Sequence, residues 1–337
     1  MLPGVFALFS PFLAPQLSPP TNKLFLPMQA PLLWQIAGVL LVGIAAASSA
    51  AIFIRLALGF VPASAQVGLG LFLAASRLLV ATIALLPSWQ GFRQVHYSPK
   101  ALRYGLLAGV CLALHFATWI PSLAFTSIAA STALVTTNPI WVVLILWFWK
   151  GDRPQGLQWL GIALALSGAI GVGFGDLRAF NAAETVFAGS NPLLGNALAI
   201  TGSWAVSFYL VWGQEAQNQG LSLKHYISLV YGVAAVVLFP LPFWMGQGYR
   251  HYPLPVYGYA LLLALFPQLI GHTSFNWALR WVSPTLVTLV ILGEPIGSSL
   301  LGWWIFQEVP SPTVLWGALV LLSGVVIAGI GDRGQAL

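Results

Sequence analysis

The sequence predicts an all-α integral membrane protein, with ten transmembrane helices arranged as two inverted five-helix repeats. Three observations carry that expectation. Of 337 residues, 58% are hydrophobic and only 6% charged, with a mean hydropathy of +0.87. No water-soluble core hides so much apolar surface, so lipid must be the solvent. The apolar residues fall into ten blocks joined by short segments rich in Pro, Gly and charge. Finally, the second half of the chain repeats the first.

The first thirty residues stand apart. Prolines at 3, 11, 15, 19, 20 and 27 interrupt residues 1–30 too often for a spanning helix, and the segment lacks the basic start of a signal peptide. It is either a disordered Pro-rich leader or a stretch upstream of a true start at Met28. The ten blocks then run near 33–54, 67–87, 101–122, 127–149, 156–175, 191–212, 223–244, 256–279, 283–305 and 312–331. Each is long enough to cross roughly 30 Å of hydrocarbon at about 1.5 Å per residue.

The fourth and ninth blocks are interrupted in the middle. The ninth, within Ser283–Glu308, carries Glu294-Pro295 amid about twenty apolar or small residues, and the fourth, within Ser127–Asp152, carries Asn138-Pro139 at the matching place. Pro295 cannot donate a backbone hydrogen bond and Pro139 repeats the defect, so both helices are expected to open there toward protein or a wet cavity. The repeat itself is explicit. An offset of 156 lays Pro139–Asp176 on Pro295–Asp332 without a gap, with 12 of 38 positions identical, including Trp147/Trp303, Pro154/Pro310, Gly161/Gly317 and Gly168/Gly324. The units are 31–176 and 191–332, with a connecting loop at 177–190 and a tail at 333–337. Five spans is an odd number, so the second unit enters the membrane inverted. That architecture belongs to secondary transporters, with a binding site near the midplane.

Basic residues set the orientation. With the amino terminus inside, nine Lys and Arg (23, 93, 100, 103, 150, 153, 224, 280 and 333) fall on inner segments and three (Arg55, Arg178 and Arg250) on outer ones. Both termini are therefore expected in the cytoplasm, in a bacterial-type inner membrane. The spacing of Gly161, Gly168 and Gly175, matched by Gly317, Gly324 and Gly331, gives the fifth and tenth helices one smooth stripe each, expected to pack inside the bundle.

Candidate site residues follow from polarity within the spans. Gln268, His272 and Asn276 stand at i, i+4 and i+8, one face of an α-helix, and are read as a substrate-facing stripe. His115, with Trp119 one turn on, is either a counterpart to His272 or a neutral tie between helices. Asn138, Trp204 and Glu294 complete the candidate substrate-binding set, while Asn196, Ser203 and Ser207 beside Trp204 read as packing residues. Arg77, at the centre of the second span, needs a partner, since an isolated charge there costs roughly 2.5–3.5 kcal/mol. Glu294 is the one mid-span carboxylate, so a buried ion pair is the first reading and a contact to a substrate carboxylate the second. Glu294 is also expected to exchange a proton for substrate.

The stretch LGEPIGSSLLGWWIFQEVPSPTVLWGALVLLSGVVIAG, with Glu294-Pro295 and the trailing Glu308, resembles the second half of an EamA-domain protein of the drug/metabolite transporter superfamily. NPLLGNALAITGSWAVSFYLVWG at the sixth span is similar to the same family in the same order, and the resemblance covers about 30–332. It implies a ten-helix basket that exports or exchanges small metabolites.

Other classes are disfavoured. Basic residues are scattered singly, which is no nucleic-acid footprint. No G-x-x-x-x-G-K-[ST] loop provides ATP binding, and Cys111 alone makes neither a disulfide framework nor a cysteine zinc site. With seven acids, no paired acidic motif and no His cluster at metal spacing, the sequence offers no catalytic constellation, metal or cofactor. The reading is a secondary active transporter of small amphipathic metabolites such as amino acids. An integral-membrane enzyme or a non-transporting sensor is the alternative.

Overall fold

The computed structural model describes residues 31–154, 156–181 and 191–332. The leader with Met28 and Lys23, residues 182–190 of the connecting loop, and the tail with Arg333 lie outside that range. Among the described residues every regular element is helical. Eight helices are long and apolar enough to cross a membrane: α1 Leu33–Leu58, α2 Ala63–Ala84, α3 Pro99–Ser122, α4 Ile128–Lys150, α6 Pro192–Asn218, α7 Leu223–Trp244, α8 Leu254–Ala278 and α9 Pro284–Phe306. Two further helices, α5 Gly156–Asn181 and α10 Pro312–Asp332, contain the shorter apolar stretches Gly156–Val172 and Pro312–Ala328. Helix α5 runs on to Asn181, past the boundary expected at 176.

Local chemistry explains where several helices begin. Ser98, Asn191, Ser283 and Ser311 each precede a proline at the first helical position, where its missing N–H costs nothing. Their side-chain oxygens accept from the backbone N–H of Ala101, Leu194, Leu286 and Val314 at 3.1, 3.2, 3.2 and 3.3 Å. Ser127 caps α4 in the same way, accepting from Ala130 at 3.1 Å.

Four interruptions shape the interior. Helix α1 breaks at Ser49, α4 at Thr136-Thr137 just before Asn138-Pro139, and α9 at Leu292 just before Glu294-Pro295. Helix α8 does not break but widens into a π-helix over Ala264–His272, around Pro267.

The packing reflects the repeat. Helices α5 and α10 lie against each other antiparallel, and their glycine stripes form the contact. A methyl at Gly161 would collide with the backbone of Gly324 and Ala328, and one at Gly168 with that of Gly317 and Leu321. The reciprocal collisions, Gly324 on Gly161 and Gly317 on Gly168, are equally close. Since Gly161 and Gly168 correspond to Gly317 and Gly324, this is the pattern of a local two-fold axis between equivalent, oppositely directed helices. The stripes are an internal seam, as expected. Elsewhere α3 packs on α6 and α7, α1 on α8, α2 on α7, and α9 on α1 and α4.

One end of the bundle gathers the basic residues. Lys150 at the end of α4 pairs with Glu215 of α6 at 3.4 Å, and Gln214 donates to the carbonyls of Leu279 and Val282 at 3.2 Å each. Tyr97, before α3, meets Ser222, before α7, at 3.2 Å. These contacts bring the segments bearing Lys100, Lys150, Lys224 and Arg280 onto one face. The opposite face holds an ion pair that the charge pattern did not announce. Arg55 lies 3.7 Å from Glu308, with side-chain exposures of 11% and 7%. Arg55 also donates to the Thr126 carbonyl at 2.9 Å, and Glu308 accepts the Ile128 N–H at 2.7 Å, closing the amino end of α4.

Candidate functional site

Between the interrupted helices lies a cavity of about 40 Å³, lined from α1, α2, α3, α4, α6, α8 and α9. Both sequence repeats contribute to it. Its volume admits roughly three waters, so a metabolite-sized ligand requires the helices to separate.

Six of the residues singled out by sequence line this cavity: Arg77, His115, Trp119, Asn138, His272 and Glu294. Pro139 and Pro295 lie in the first turn of the helical segments Asn138–Lys150 and Gly293–Phe306 that follow the two breaks. His115 is buried, stacks on Trp119 with ring centroids 5.7 Å apart and an 11° interplanar angle, and donates from Nδ1 to the Gly202 carbonyl at 2.9 Å. It is therefore a tie to α6 as well as part of the wall. His272 faces it at 6.2 Å, with Phe116 and Tyr209 completing an aromatic surround.

The break in α4 is held against α6 by hydroxyls. Thr137 and Ser203 meet at 2.9 Å, and Ser207 donates to the Asn138 carbonyl at 3.1 Å. Near Asn196 the same helix is tied to Thr126 at 2.8 Å. The polar edge of α6 is thus used for packing. On the other side, Ser298 donates to the Ser48 carbonyl at 3.0 Å and Ser48 to the Glu294 carbonyl at 3.4 Å, which sets the break in α9 beside the break in α1.

Three candidates lie elsewhere. Trp204 is 45% exposed and turns its ring onto Phe208, away from the cavity. Gln268 and Asn276 are buried but outside the lining, where Asn276 accepts from the Tyr209 hydroxyl at 2.7 Å and donates to Tyr231 at 3.4 Å. Of the three, His272 alone lines the cavity, and Tyr231 of α7, whose hydroxyl also donates to the Gln268 carbonyl at 3.4 Å, occupies the neighbourhood of the other two.

Arg77 and Glu294 share the cavity without forming the expected direct ion pair; no N–O contact within 4.0 Å joins them. Arg77 is 0% exposed, and its guanidinium carbon sits 4.0 Å from the Phe116 ring centroid. That is a cation–π contact in a desolvated place. Nε, Nη1 and Nη2 all lack a hydrogen-bond partner in the protein, as do Trp119 Nε1, Asn138 Oδ1 and His272 Nδ1. Among the described residues there is no group of three His, Cys, Asp or Glu arranged to hold a metal ion.

A helical bundle with interrupted helices around an interior cavity that holds Arg77 and Glu294 is the arrangement of a membrane transporter class. The description of the EamA-like transporter family matches residues 33–174 and again 193–330, so the chain belongs to that family, a family of transporters and not of enzymes. An uncharacterized transporter of Bacillus subtilis, YwfM, is 25% identical over 265 residues, which is 77% of this chain and 84% of that protein. A probable terminal-alkyne amino-acid exporter of Streptantibioticus cattleyicolor is 27% identical over 216 residues, 62% of this chain and 68% of that one. An uncharacterized transporter of Archaeoglobus fulgidus is 24% identical, covering 64% and 72%. A protein of known crystal structure superposes with a TM-score of 0.55 at 17% identity, over 90% of this chain and 99% of that one, a likeness of fold.

Proposed function

We propose that this protein is a secondary active transporter of small amphipathic metabolites such as amino acids, exporting or exchanging them by alternating access at the central cavity. All ten helices span the bilayer, as two inverted repeats of five, in a bacterial-type inner membrane with both termini cytoplasmic. The observation that carries the reading is the cavity itself. Charged and amide groups from both repeats meet there, between helices broken at Asn138-Pro139 and Glu294-Pro295.

Further support comes from the α5–α10 seam, whose reciprocal glycine contacts fit an inverted pair, and from the face that collects Lys100, Lys150, Lys224 and Arg280, which fits a cytoplasmic side. The amino-acid exporter among the relatives favours the substrate class. Glu294, an acid at the break of α9, is assigned the coupling role as the site of proton exchange.

Stimulated counterflow of labelled amino acids, with the purified full chain in proteoliposomes, tests the function. Uptake should overshoot when the lumen is preloaded with unlabelled solute. Uptake no greater than in protein-free vesicles across amino acids, polyols and amines would remove the transporter assignment for this chain. For orientation, a single cysteine at 150–153 in a Cys111→Ser background should resist an impermeant thiol reagent in intact cells. Labelling from outside would reverse the topology.

A further inference from the structure

We infer that the cavity recognises a zwitterion, with Arg77 taking the carboxylate and Glu294 the ammonium of an α-amino acid whose amino and carboxyl groups are both free. This rests on the transporter reading and names the determinants of its specificity.

The argument begins with Arg77. A fully buried guanidinium is ordinarily satisfied by a carboxylate, by carbonyls or by water. Here one face is covered by Phe116 at 4.0 Å, while all three nitrogens remain without a protein partner. Phe116 can stabilise the charge through its ring but accepts no in-plane hydrogen bond. The free N–H edge borders the cavity, and its planar fork matches a carboxylate, which it can bind through two parallel hydrogen bonds. Trp119 Nε1, another buried donor without a protein partner, lines the same space.

Glu294 then decides the rest of the ligand. It lines the same cavity, carries the opposite charge and is not bonded to Arg77. A neutral ligand would displace water from both ions and repay neither. A simple anion would satisfy Arg77 and strand Glu294, and a simple amine would do the reverse. An α-amino acid presents both charges on a single tetrahedral carbon, so one small ligand serves both groups. The aromatic wall of His115, Trp119 and His272 leaves its side chain an apolar to weakly polar environment. Phosphate esters are disfavoured, because among the lining residues Arg77 is the one Lys or Arg.

The test compares each amino acid with analogues that lose one charge at a time. Thermal shift of the detergent-purified full chain against the twenty amino acids selects the strongest binder. Its carboxamide and N-acetyl derivatives are then titrated as competitors of its counterflow. Both should be weaker than the free amino acid by at least about 100-fold, since a site built around a buried charge rejects the analogue that leaves it unpaired. A carboxamide within threefold of the parent overturns the Arg77 assignment, and an equally good N-acetyl derivative overturns that of Glu294. In both cases the transporter reading stands. Exchange confined to solutes without an α-amino acid group also overturns the zwitterion. No exchange of any solute removes both readings together.

Arg77→Gln should lower affinity for the free amino acid by a similar factor while leaving the carboxamide's weak binding unchanged, a split that general loss of packing would not produce. Where Arg77→Gln does not fold, Arg77→Lys carries the test. It keeps the charge but loses the fork, and unchanged affinity for the free amino acid would overturn the inference.

Discussion

The seam between α5 and α10 and the cavity at the breaks of α4 and α9 come from the same duplicated sequence but treat it in opposite ways. At the seam the two copies are interchangeable: Gly161 meets Gly324, Gly168 meets Gly317, and each contact is the image of the other. At the cavity the copies differ. Asn138 in one repeat stands where Glu294 stands in the other. The offset of 156 also lays Phe116 on His272 and Trp119 on Phe275; Trp119, His272 and Phe275 line the cavity, and Phe116 packs edge-on against His272. The difference follows from the tasks. A backbone-to-backbone contact asks only for the absence of side chains, which both copies supply equally. The proposed site for a ligand with unlike ends requires unlike groups.

The Arg55–Glu308 ion pair shows the same divergence at a single hydrogen bond. Glu308 accepts the N–H of Ile128 and pairs with Arg55. Its counterpart in the first repeat is Asp152, and the counterpart of Ile128 is Pro284, which has no N–H to give. Asp152 is exposed. One end of the bundle is therefore clasped by a buried acid, and the other lacks the donor that would allow it.

The comparison is broken most severely at the seam. Gly168→Val and Gly324→Val should each abolish the monodisperse peak in fluorescence-detected size exclusion, and to a similar extent, because a side chain there meets backbone that cannot yield. If one variant folds normally, the seam is not symmetric. Next comes the Arg55–Glu308 clasp. Arg55→Ala or Glu308→Ala strands a buried charge at a cost of about 3–5 kcal/mol, while Asp152→Asn should stay within about 0.5 kcal/mol. Melting in detergent would show it, and equal losses at Glu308 and Asp152 would erase the proposed asymmetry.

At the cavity the expected effect is functional. Glu294→Gln should weaken substrate affinity, yet at saturating substrate it should still exchange labelled for unlabelled solute while losing accumulation driven by a pH gradient. Asn138→Asp should leave such accumulation intact. Wild-type accumulation in Glu294→Gln would refute the coupling role. The smallest effect belongs to Trp204. Its ring lies outside the cavity, so Trp204→Leu should change counterflow less than about twofold. A larger loss would place α6 differently in the working protein.

Much of the frame was legible in the sequence because depth and periodicity are linear properties. The proline breaks and the glycine stripes lie where the chain alone puts them, and eight of the ten apolar blocks form helices long and apolar enough to span, the fifth and tenth carrying shorter apolar stretches. What a sequence does not carry is the rotation of each helix about its axis. Arg77 and Glu294 were legible as neighbours in depth, but whether they touch depends on that rotation, and Phe116 takes the guanidinium instead. The i, i+4, i+8 spacing places Gln268, His272 and Asn276 close together along α8, but the rotation of the helix decides which of them reaches the cavity, and only His272 does. Arg55 was counted as an outer-loop charge, yet it ends a helix and is buried against Glu308, a partner 253 positions away that no local pattern reveals.

The ring beneath Arg77 has one more consequence. A free arginine side chain gives up about 2 kcal/mol of rotamer freedom when it is fixed. Held over the Phe116 ring at 4.0 Å, Arg77 gives up that freedom when the bundle folds, so an arriving solute does not have to supply it. Affinity at the charged pole then depends little on ordering and steeply on geometry. The opposite pole meets the aromatic side chains of His115, Trp119 and His272, whose apolar contacts set no fixed direction. Such a carrier should be strict about the backbone of its cargo and tolerant of what hangs from it.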